Sequence, residues 1–300
     1  MARKRARRGK KSRGNLPPRK KNAGRLVKGR GKPAPKKGAA KPVPKSAGPM
    51  QAKPKPQSPC EAWKKSKTGK SCTGVVGLNE ILDGGLGANS ISIIIGGPGS
   101  GKSIIASQFI EHGIKSHNEP AVLLSLEQGG EKHVEYMKRL GMDLQKHVQN
   151  KKLIILTYSP NEMQDLIKGS GGMIKDAVDS IGAKRFVIDS LSSLTSFYKE
   201  DYEKRRAVSN FFSSLRSWGV TVLATVESSD TSFERKFQVE EFLADTVLVL
   251  RQQYEGRVRR NYISAEKLCG SKNLGVIFNY RLSGDGMSVE YDAGLIGGGD

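Results

Sequence analysis

The stretch Ile91-Ser-Ile-Ile-Ile-Gly-Gly-Pro-Gly-Ser-Gly-Lys-Ser103 joins a short β-branched run to a glycine-rich loop, and a run with helical periodicity begins at Ile104. The loop matches the pattern G-x-x-x-x-G-K-[ST], whose glycines let the backbone turn tightly and aim several N–H groups at one phosphate. The dipole of the following helix adds positive potential at the same point. The sequence therefore predicts a phosphate-binding loop held between a strand and a helix.

The polar side chains of this loop have expected roles toward a nucleotide. We expect Lys102 to reach the β- and γ-phosphates and to assist catalysis, and the Ser103 hydroxyl to help hold Mg²⁺. A glycine-rich turn without a ligand is the alternative, which the flanking strand and helix argue against. The candidate nucleotide-binding residues are consecutive: Gly96, Gly97, Pro98, Gly99, Ser100, Gly101, Lys102, Ser103 and Ile104.

Two carboxylates follow apolar runs that have the character of buried strands. Asp189 ends the run Phe186-Val-Ile-Asp189 and is the candidate metal ligand, the alternative being a turn or capping role. Because Ser190 follows it, a water-activating carboxylate has to come from another strand. Glu127, directly after the run Ala121–Leu126, is the candidate catalytic base; the alternative is that it only solvates the strand end or caps a helix.

A third strand end carries polar groups, because Thr225 and Glu227 close the run that begins at Thr221. Either side chain is a candidate sensor of the γ-phosphate. The base-reading pattern Asn-Lys-x-Asp of guanine-specific GTPases is missing, since its nearest match, at Asn150, has no Asp. ATP is therefore the expected nucleotide.

Short apolar runs alternate with longer stretches of helical period from Ser71 onward, which is the pattern of an α/β domain with a mainly parallel sheet flanked by helices. Strands are predicted at Ile91–Ile95, Ala121–Leu126, Leu153–Thr157, Phe186–Ile188, Thr221–Val226 and Thr246–Leu250. Helices are predicted at Lys102–His117, Glu131–Leu140, Glu162–Ile181 and Tyr202–Trp218. Antiparallel strands are expected at the C-terminal end: Asn261–Lys267, Val276–Arg281 and Met287–Tyr291, with a hairpin turn at Ser283–Gly286.

The net charge of +22 is concentrated in the first quarter of the 300-residue chain. Residues 1–70 hold 25 of the 51 basic residues, one acid (Glu61) and ten of the 13 prolines, so this segment carries +24 and the remainder −2. Such a composition buries too little apolar surface to offset the entropy of ordering. We predict a disordered basic tail over residues 1–70, an ATPase domain over 71–296 and a frayed C-terminus over 297–300.

The cellular location is inferred from what the chain lacks. The N-terminal charges are not followed by an apolar stretch, and no run of 18 apolar residues exists, so neither a secretory signal nor a transmembrane segment is expected. Cys60, Cys72 and Cys269 have neither a metal-ligand spacing nor a Cys-x-x-Cys pattern, so no role as ligands is predicted for them. Their odd number favours a reducing compartment, and we expect a cytoplasmic protein.

The chain resembles the RecA superfamily of P-loop NTPases and, within it, the KaiC-like ATPases, over about residues 73–291. The segments that carry the resemblance, in the family's order, are Thr73-Gly-Val-Val-Gly-Leu-Asn-Glu-Ile-Leu-Asp-Gly-Gly-Leu86, Glu127-Gln-Gly-Gly-Glu-Lys132, Arg139-Leu-Gly-Met-Asp-Leu144, Val187-Ile-Asp-Ser-Leu191 and Glu241-Phe-Leu-Ala-Asp-Thr-Val-Leu-Val-Leu250. The resemblance implies a RecA-like fold, ATP with Mg²⁺, and a homo-oligomer, expected to be a hexameric ring with nucleotide between subunits.

Two positions depart from the family's pattern. Glu127-Gln128 stands where the family has two catalytic glutamates, which leaves one carboxylate. In the segment that resembles a strand ending Lys-x-Arg-Gly, Lys267 matches the lysine expected to reach a neighbour's nucleotide, but Cys269 replaces the arginine. An arginine finger contributes about 10³-fold or more to turnover. Slow hydrolysis is therefore expected unless Lys267 or Lys272 substitutes; the alternative for Lys267 is a solvated strand-end charge.

Three functions fit these observations. The first is a Mg²⁺-dependent ATPase that acts as a nucleotide-switched oligomer. The second is an ATP-gated binding module with little turnover, and the third is a DNA-binding recombinase paralogue. Residues 1–70 are expected to bind nucleic acid through phosphates without reading sequence, because Trp63 is the one aromatic residue in that segment.

Overall fold

One large mixed sheet organises the domain. The computed structural model describes residues 69–126, 129–159, 161–163, 172–230, 234–272 and 275–291. Most of the predicted tail, the candidate base Glu127 and the predicted frayed end lie outside these ranges. The strands in chain order are β1 (Lys70–Ser71), β2 (Leu86–Gly87), β3 (Ile91–Gly96), β4 (Ala121–Ser125), β5 (Leu153–Thr157), β6 (Arg185–Asp189), β7 (Thr221–Glu227), β8 (Thr246–Glu255), β9 (Val258–Leu268), β10 (Ile277–Ser283) and β11 (Gly286–Val289).

The sheet order confirms the predicted fold class. Nine strands pair in the order β11-β10-β9-β8-β3-β7-β6-β4-β5, and the six from β8 to β5 are parallel to one another. The three C-terminal strands pair antiparallel, and Ser283 faces Gly286 across the predicted hairpin turn. The chain thus has a RecA-like sheet that is parallel at its centre and antiparallel at one end.

Helices cover both faces of this sheet. In the described ranges they are α1 (Leu78–Ile81), α2 (Lys102–His117), α3 (Gly130–Arg139), α4 (Leu144–Gln149), α5 (Gly172–Ile181), α6 (Leu191–Thr195), α7 (Asp201–Ser217) and α8 (Val239–Leu243). None of them is both long and apolar enough to cross a membrane. The helices α1, α4, α6 and α8 were missed by the sequence analysis, because four to six residues are too few to show a helical period.

Side chains of the parallel strands alternate between two apolar cores, as the two-residue period of a strand requires. On β3, Ile94 belongs to the core that includes residues of α2, whereas Ile93 and Ile95 belong to the core that includes residues of α7. Because both faces are buried, these strands read as continuous apolar runs. That property made them recognisable from the sequence.

Cys72, the residue directly after β1, forms a bond that the sequence analysis did not predict. Cys72 is disulfide-bonded, whereas Cys269 is exposed and free. The sequence analysis predicted no disulfide, because the spacing of cysteines along a sequence does not reveal which of them meet in space.

A buried arginine ties three elements together. Arg185, the first residue of β6, is 0% exposed, and its Nε donates to Glu119 Oε2 at 2.6 Å. Its Nη1 donates to the carbonyl oxygens of Cys72 (2.8 Å) and Phe109 (2.6 Å). Burial lowers the pKa of Arg185 below its usual range, and Glu119 opposes that shift. Gly113 leaves room for the guanidinium, since a Cβ there would lie 2.1 Å from Arg185 Nε.

We therefore predict that Gly113→Ala destabilises the domain by about 2–4 kcal/mol, because the methyl group displaces a buried ion pair and the gain in helix propensity is only about 1 kcal/mol. Urea unfolding of the full chain measures the change. Gly172→Ala is the matched control, since a Cβ at Gly172 meets no atom within 4 Å. Equal unfolding midpoints for the two variants would contradict the prediction.

Candidate functional site

The phosphate-binding loop leaves the carboxyl end of β3 and enters α2, as predicted. Two of its glycines have left-handed backbone, with φ of +70° at Gly99 and +96° at Gly101. A Cβ on Gly101 would also lie 2.8 Å from the side chains of Leu282 and Met287. Glycine is thus required at position 101 both by its backbone conformation and by the close approach of β10 and β11.

Lys102 is the first residue of α2, and its side chain folds back over the loop. Its Nζ donates to the carbonyl oxygens of Gly96 (2.9 Å) and Gly97 (3.1 Å), and the residue is 9% exposed. Beside it lies a cavity of about 210 Å³. Its lining consists of Gly99, Ser100, Gly101, Lys102, Ser103, Ile104 and Leu282. Six of the nine predicted nucleotide-binding residues therefore line one concave space, whereas Gly96, Gly97 and the exposed Pro98 are not part of its lining.

The C-terminal strands brace this loop, which the sequence analysis did not predict. Tyr280 donates its hydroxyl to Ser100 O at 2.7 Å, and burial raises the pKa of that phenol well above its usual range, which keeps it a donor. Gln108 of α2 both donates to and accepts from the backbone of Met287. These contacts join residues about 180 positions apart, and no local sequence pattern reveals such pairings.

Asp189 ends β6, and its carboxylate is held by a neighbouring strand. Thr225 of β7 is 0% exposed, and its hydroxyl donates to Asp189 Oδ1 at 2.5 Å. The candidate sensor Thr225 thus contacts the candidate metal ligand directly. The other candidate sensor, Glu227, is exposed at the end of β7 and pairs in register with Gly96.

His133 is a further residue of this cluster that the sequence analysis missed. Its Nδ1 lies 3.9 Å from Asp189 Oδ2, and its Nε2 lies 2.9 Å from Ser107 Oγ of α2. Burial lowers the pKa of His133 below its usual range, while Asp189 opposes that shift. A lone histidine in a helical stretch has no sequence signal that distinguishes this position from an ordinary surface one.

Leu126, the last described residue after β4, lies beside Asp189. The backbone N–H of Leu126 donates to Asp189 O at 2.8 Å, and β4 and β6 pair up to Ser125 and Asp189. Glu127 and Gln128 themselves lie outside the described residues, so the expected role of Glu127 stays a prediction.

Lys267 lies away from the loop of its own chain. It pairs with Val247 near the start of β8, whereas Gly96 pairs with Leu250, three residues or about 10 Å further along that strand. Its Nζ donates to the carbonyl oxygens of Glu241 and Phe242 at 3.3 and 3.4 Å. The structure therefore does not bring Lys267 together with Lys102 within one chain.

Comparison with known proteins agrees with this site and fold. The family model described as "ATPase: KaiC" matches residues 71–293. A circadian clock oscillator protein KaiC from Prochlorococcus marinus subsp. pastoris is 31% identical over 232 residues, which cover 75% of this chain and 46% of the relative. The KaiC of Picosynechococcus sp. is 30% identical, over 72% of this chain and 43% of the relative.

The chain spans less than half the length of these relatives. The family match nevertheless covers the sheet, the loop at residues 96–104 and both strand-end carboxylate positions. The chain therefore belongs to the KaiC-like ATPases of the RecA superfamily, as the sequence resemblance implied, and carries their ATP-binding P-loop domain.

Proposed function

We propose that this chain binds ATP with Mg²⁺ at residues 96–104 and hydrolyses it slowly as a nucleotide-switched homo-oligomer in the cytoplasm. The observation that carries the proposal is the cavity around Lys102, whose lining is almost entirely the predicted phosphate-binding loop. In this proposal the backbone N–H groups and the Lys102 ammonium hold the phosphates. The ammonium exchanges its contacts with two loop carbonyls for contacts with phosphate oxygens.

The oxygen donors near the loop suit Mg²⁺, which prefers oxygen ligands and keeps several waters. Ser103, which carries a hydroxyl, is part of the cavity lining. Asp189 accepts from Thr225 through Oδ1, and its Oδ2, 3.9 Å from His133 Nδ1, is the oxygen proposed for a metal or its water. Mg²⁺, when bound, would neutralise charge on the phosphates. The role of Thr225 is to fix the Asp189 carboxylate in one orientation.

Glu127 is the proposed general base. It would take a proton from the attacking water while the bond between the γ-phosphorus and the bridging oxygen breaks, giving ADP and phosphate. The Leu126–Asp189 hydrogen bond supports this assignment, because it places the end of β4 beside the proposed metal ligand.

Oligomerisation is part of the proposal because Lys267 is remote from the loop of its own chain. A lysine at that edge of the sheet can assist catalysis only at the nucleotide of another subunit. A hexameric ring is proposed by family resemblance. Turnover is slow in this proposal because Cys269 stands where the family has an arginine.

An ATP-gated binding module with little turnover is the second candidate, favoured by Gln128 and Cys269 at the two positions that depart from the family's pattern. In that function ATP occupancy would switch assembly or partner binding.

Glu127→Gln separates the two functions. We predict that it lowers steady-state phosphate release at least about hundredfold, because a general base is lost, while ATP binding is retained. Lys102→Ala is the companion variant and is expected to weaken ATP binding itself. Unchanged phosphate release in Glu127→Gln would remove the catalytic claim and leave the ATP-gated module.

Mixed oligomers test the role of Lys267. Lys267→Ala is expected to lower turnover without weakening ATP binding. Mixing it with Glu127→Gln subunits should restore part of the activity, because an intact base would then meet an intact lysine at some boundaries. Lys272→Ala, mixed in the same way, tests the other candidate lysine.

Light scattering with and without ATP accompanies the mixing measurement. Activity equal to the average of the two variants, or a monomer under every condition, would contradict the shared site.

Residues 1–70 are proposed to bind nucleic acid through its phosphates. We predict that binding of the full chain to DNA or RNA weakens about a thousandfold or more between about 50 and 200 mM salt. Deletion of residues 1–70 should abolish that binding while ATP binding persists. Equal binding by the deletion variant would assign the contact to the core, with the loop around residues 233–236 as the candidate.

A further inference from the structure

The far end of α2 carries a cluster of metal-ligand side chains that the ATPase site does not use. The Cys72 sulfur and one ring nitrogen each from His112 and His117 all lie within 4.8 Å of one another. Helix α2 has 16 residues and is therefore about 24 Å long, with Lys102 and His117 at its opposite ends. The cluster is thus separate from the phosphate-binding loop.

Both histidines present a ring nitrogen to the cluster. The Nδ1 of His112 faces Ser116 Oγ at 3.4 Å, while its buried Nε2 has no hydrogen-bond partner in the described part of the chain. His117 is exposed at the end of α2, and its ring centroid lies 5.3 Å from that of His112.

The sulfur of Cys72 is held beside these rings by fixed neighbours. Asn79 Nδ2 donates to Cys72 Sγ at 3.3 Å, and its Oδ1 accepts from the backbone N–H of Thr73, which fixes the amide orientation. Gly74 lets this segment lie against α2, since a Cβ there would be 2.5 Å from His112 Cβ. A donated hydrogen bond stabilises a thiolate, which is the form of cysteine that binds metals.

We propose that Cys72, His112 and His117 form a zinc site that is available only while Cys72 is reduced. One thiolate and two imidazoles are donors that Zn²⁺ prefers, and three protein ligands leave a fourth position for water. Small side-chain rotations would bring donors within 4.8 Å of one another to the closer spacing around zinc. Arg185 places a positive charge near the site, and the carboxylate of Glu119, with which it is paired, offsets that charge.

The disulfide at Cys72 makes zinc binding depend on redox conditions. Two molecules of a low-molecular-weight thiol supply two electrons and two protons, become one disulfide, and convert the Cys72 bridge into two thiols. The Cys72 thiol then releases its proton to solvent as zinc binds. Zinc would hold the segment directly after β1 to the end of α2, at the point where the basic tail joins the domain.

Zinc competition between the full chain and a chromogenic chelator tests the site, with the chain reduced by a phosphine and freed of reductant. We expect one equivalent of zinc to bind, and Co²⁺ in its place to show a thiolate-to-cobalt charge-transfer band. Cys72→Ser should abolish the band and weaken zinc binding about a hundredfold or more. His117→Ala, which changes an exposed residue, should weaken zinc binding to a similar extent.

Cys269→Ser is the matched control, because it removes the exposed free cysteine and should leave zinc affinity unchanged. The oxidised chain should bind zinc at least about a hundredfold more weakly than the reduced chain, with reduction restoring affinity. Either of two results would overturn the proposal. One is an equal zinc affinity in the oxidised and the reduced chain, and the other is an equal zinc affinity in His117→Ala and the unchanged protein. If Cys72→Ser does not fold, His117→Ala and the cobalt band decide the outcome.

Discussion

The parallel alignment of β3, β7, β6 and β4 places their carboxyl ends at one edge of the sheet, and the candidate site depends on that alignment. Gly96 is level with Glu227, and Ser125 is level with Asp189. Backbone hydrogen bonds fix this register, and a shift of one residue would move each side chain of a strand into the opposite core, where it does not fit the packing. The strand ends consequently hold the phosphate-binding loop and the Asp189 carboxylate in fixed relation.

Two neighbouring side chains orient the carboxylate of Asp189. A lone carboxylate at a strand end can rotate, but Thr225 contacts one of its oxygens and His133 lies beside the other. His133 also contacts Ser107, which belongs to the helix that starts with Lys102. The two halves of the candidate site are therefore linked through buried polar side chains. This link is a contiguous set of contacts between the helix that follows the phosphate-binding loop and the proposed metal ligand.

Local patterns predicted the parts of the structure that local interactions determine. The bounds of α2 and β5 agree with the sequence analysis, because a helical period and a continuous apolar run are properties of neighbouring residues. Tertiary contacts decided the rest. Arg185 was left outside its predicted strand because an arginine is seldom buried, and only the distant Glu119 makes its burial tolerable. The contacts that Tyr280 and His133 make near the site were not predicted either, because their partners are remote in sequence.

The hydrogen bond between Tyr280 and Ser100 has a consequence for how the domain is made. During synthesis the phosphate-binding loop leaves the ribosome long before the strands that brace it, and β10 and β11 are the last strands of the described chain. Until they dock, Gly101 lacks its close approach to Leu282 and Met287, and the Ser100 carbonyl lacks the Tyr280 hydroxyl that donates to it. A nascent or C-terminally shortened chain would therefore present this loop without the contacts that β10 and β11 make to it in the completed domain.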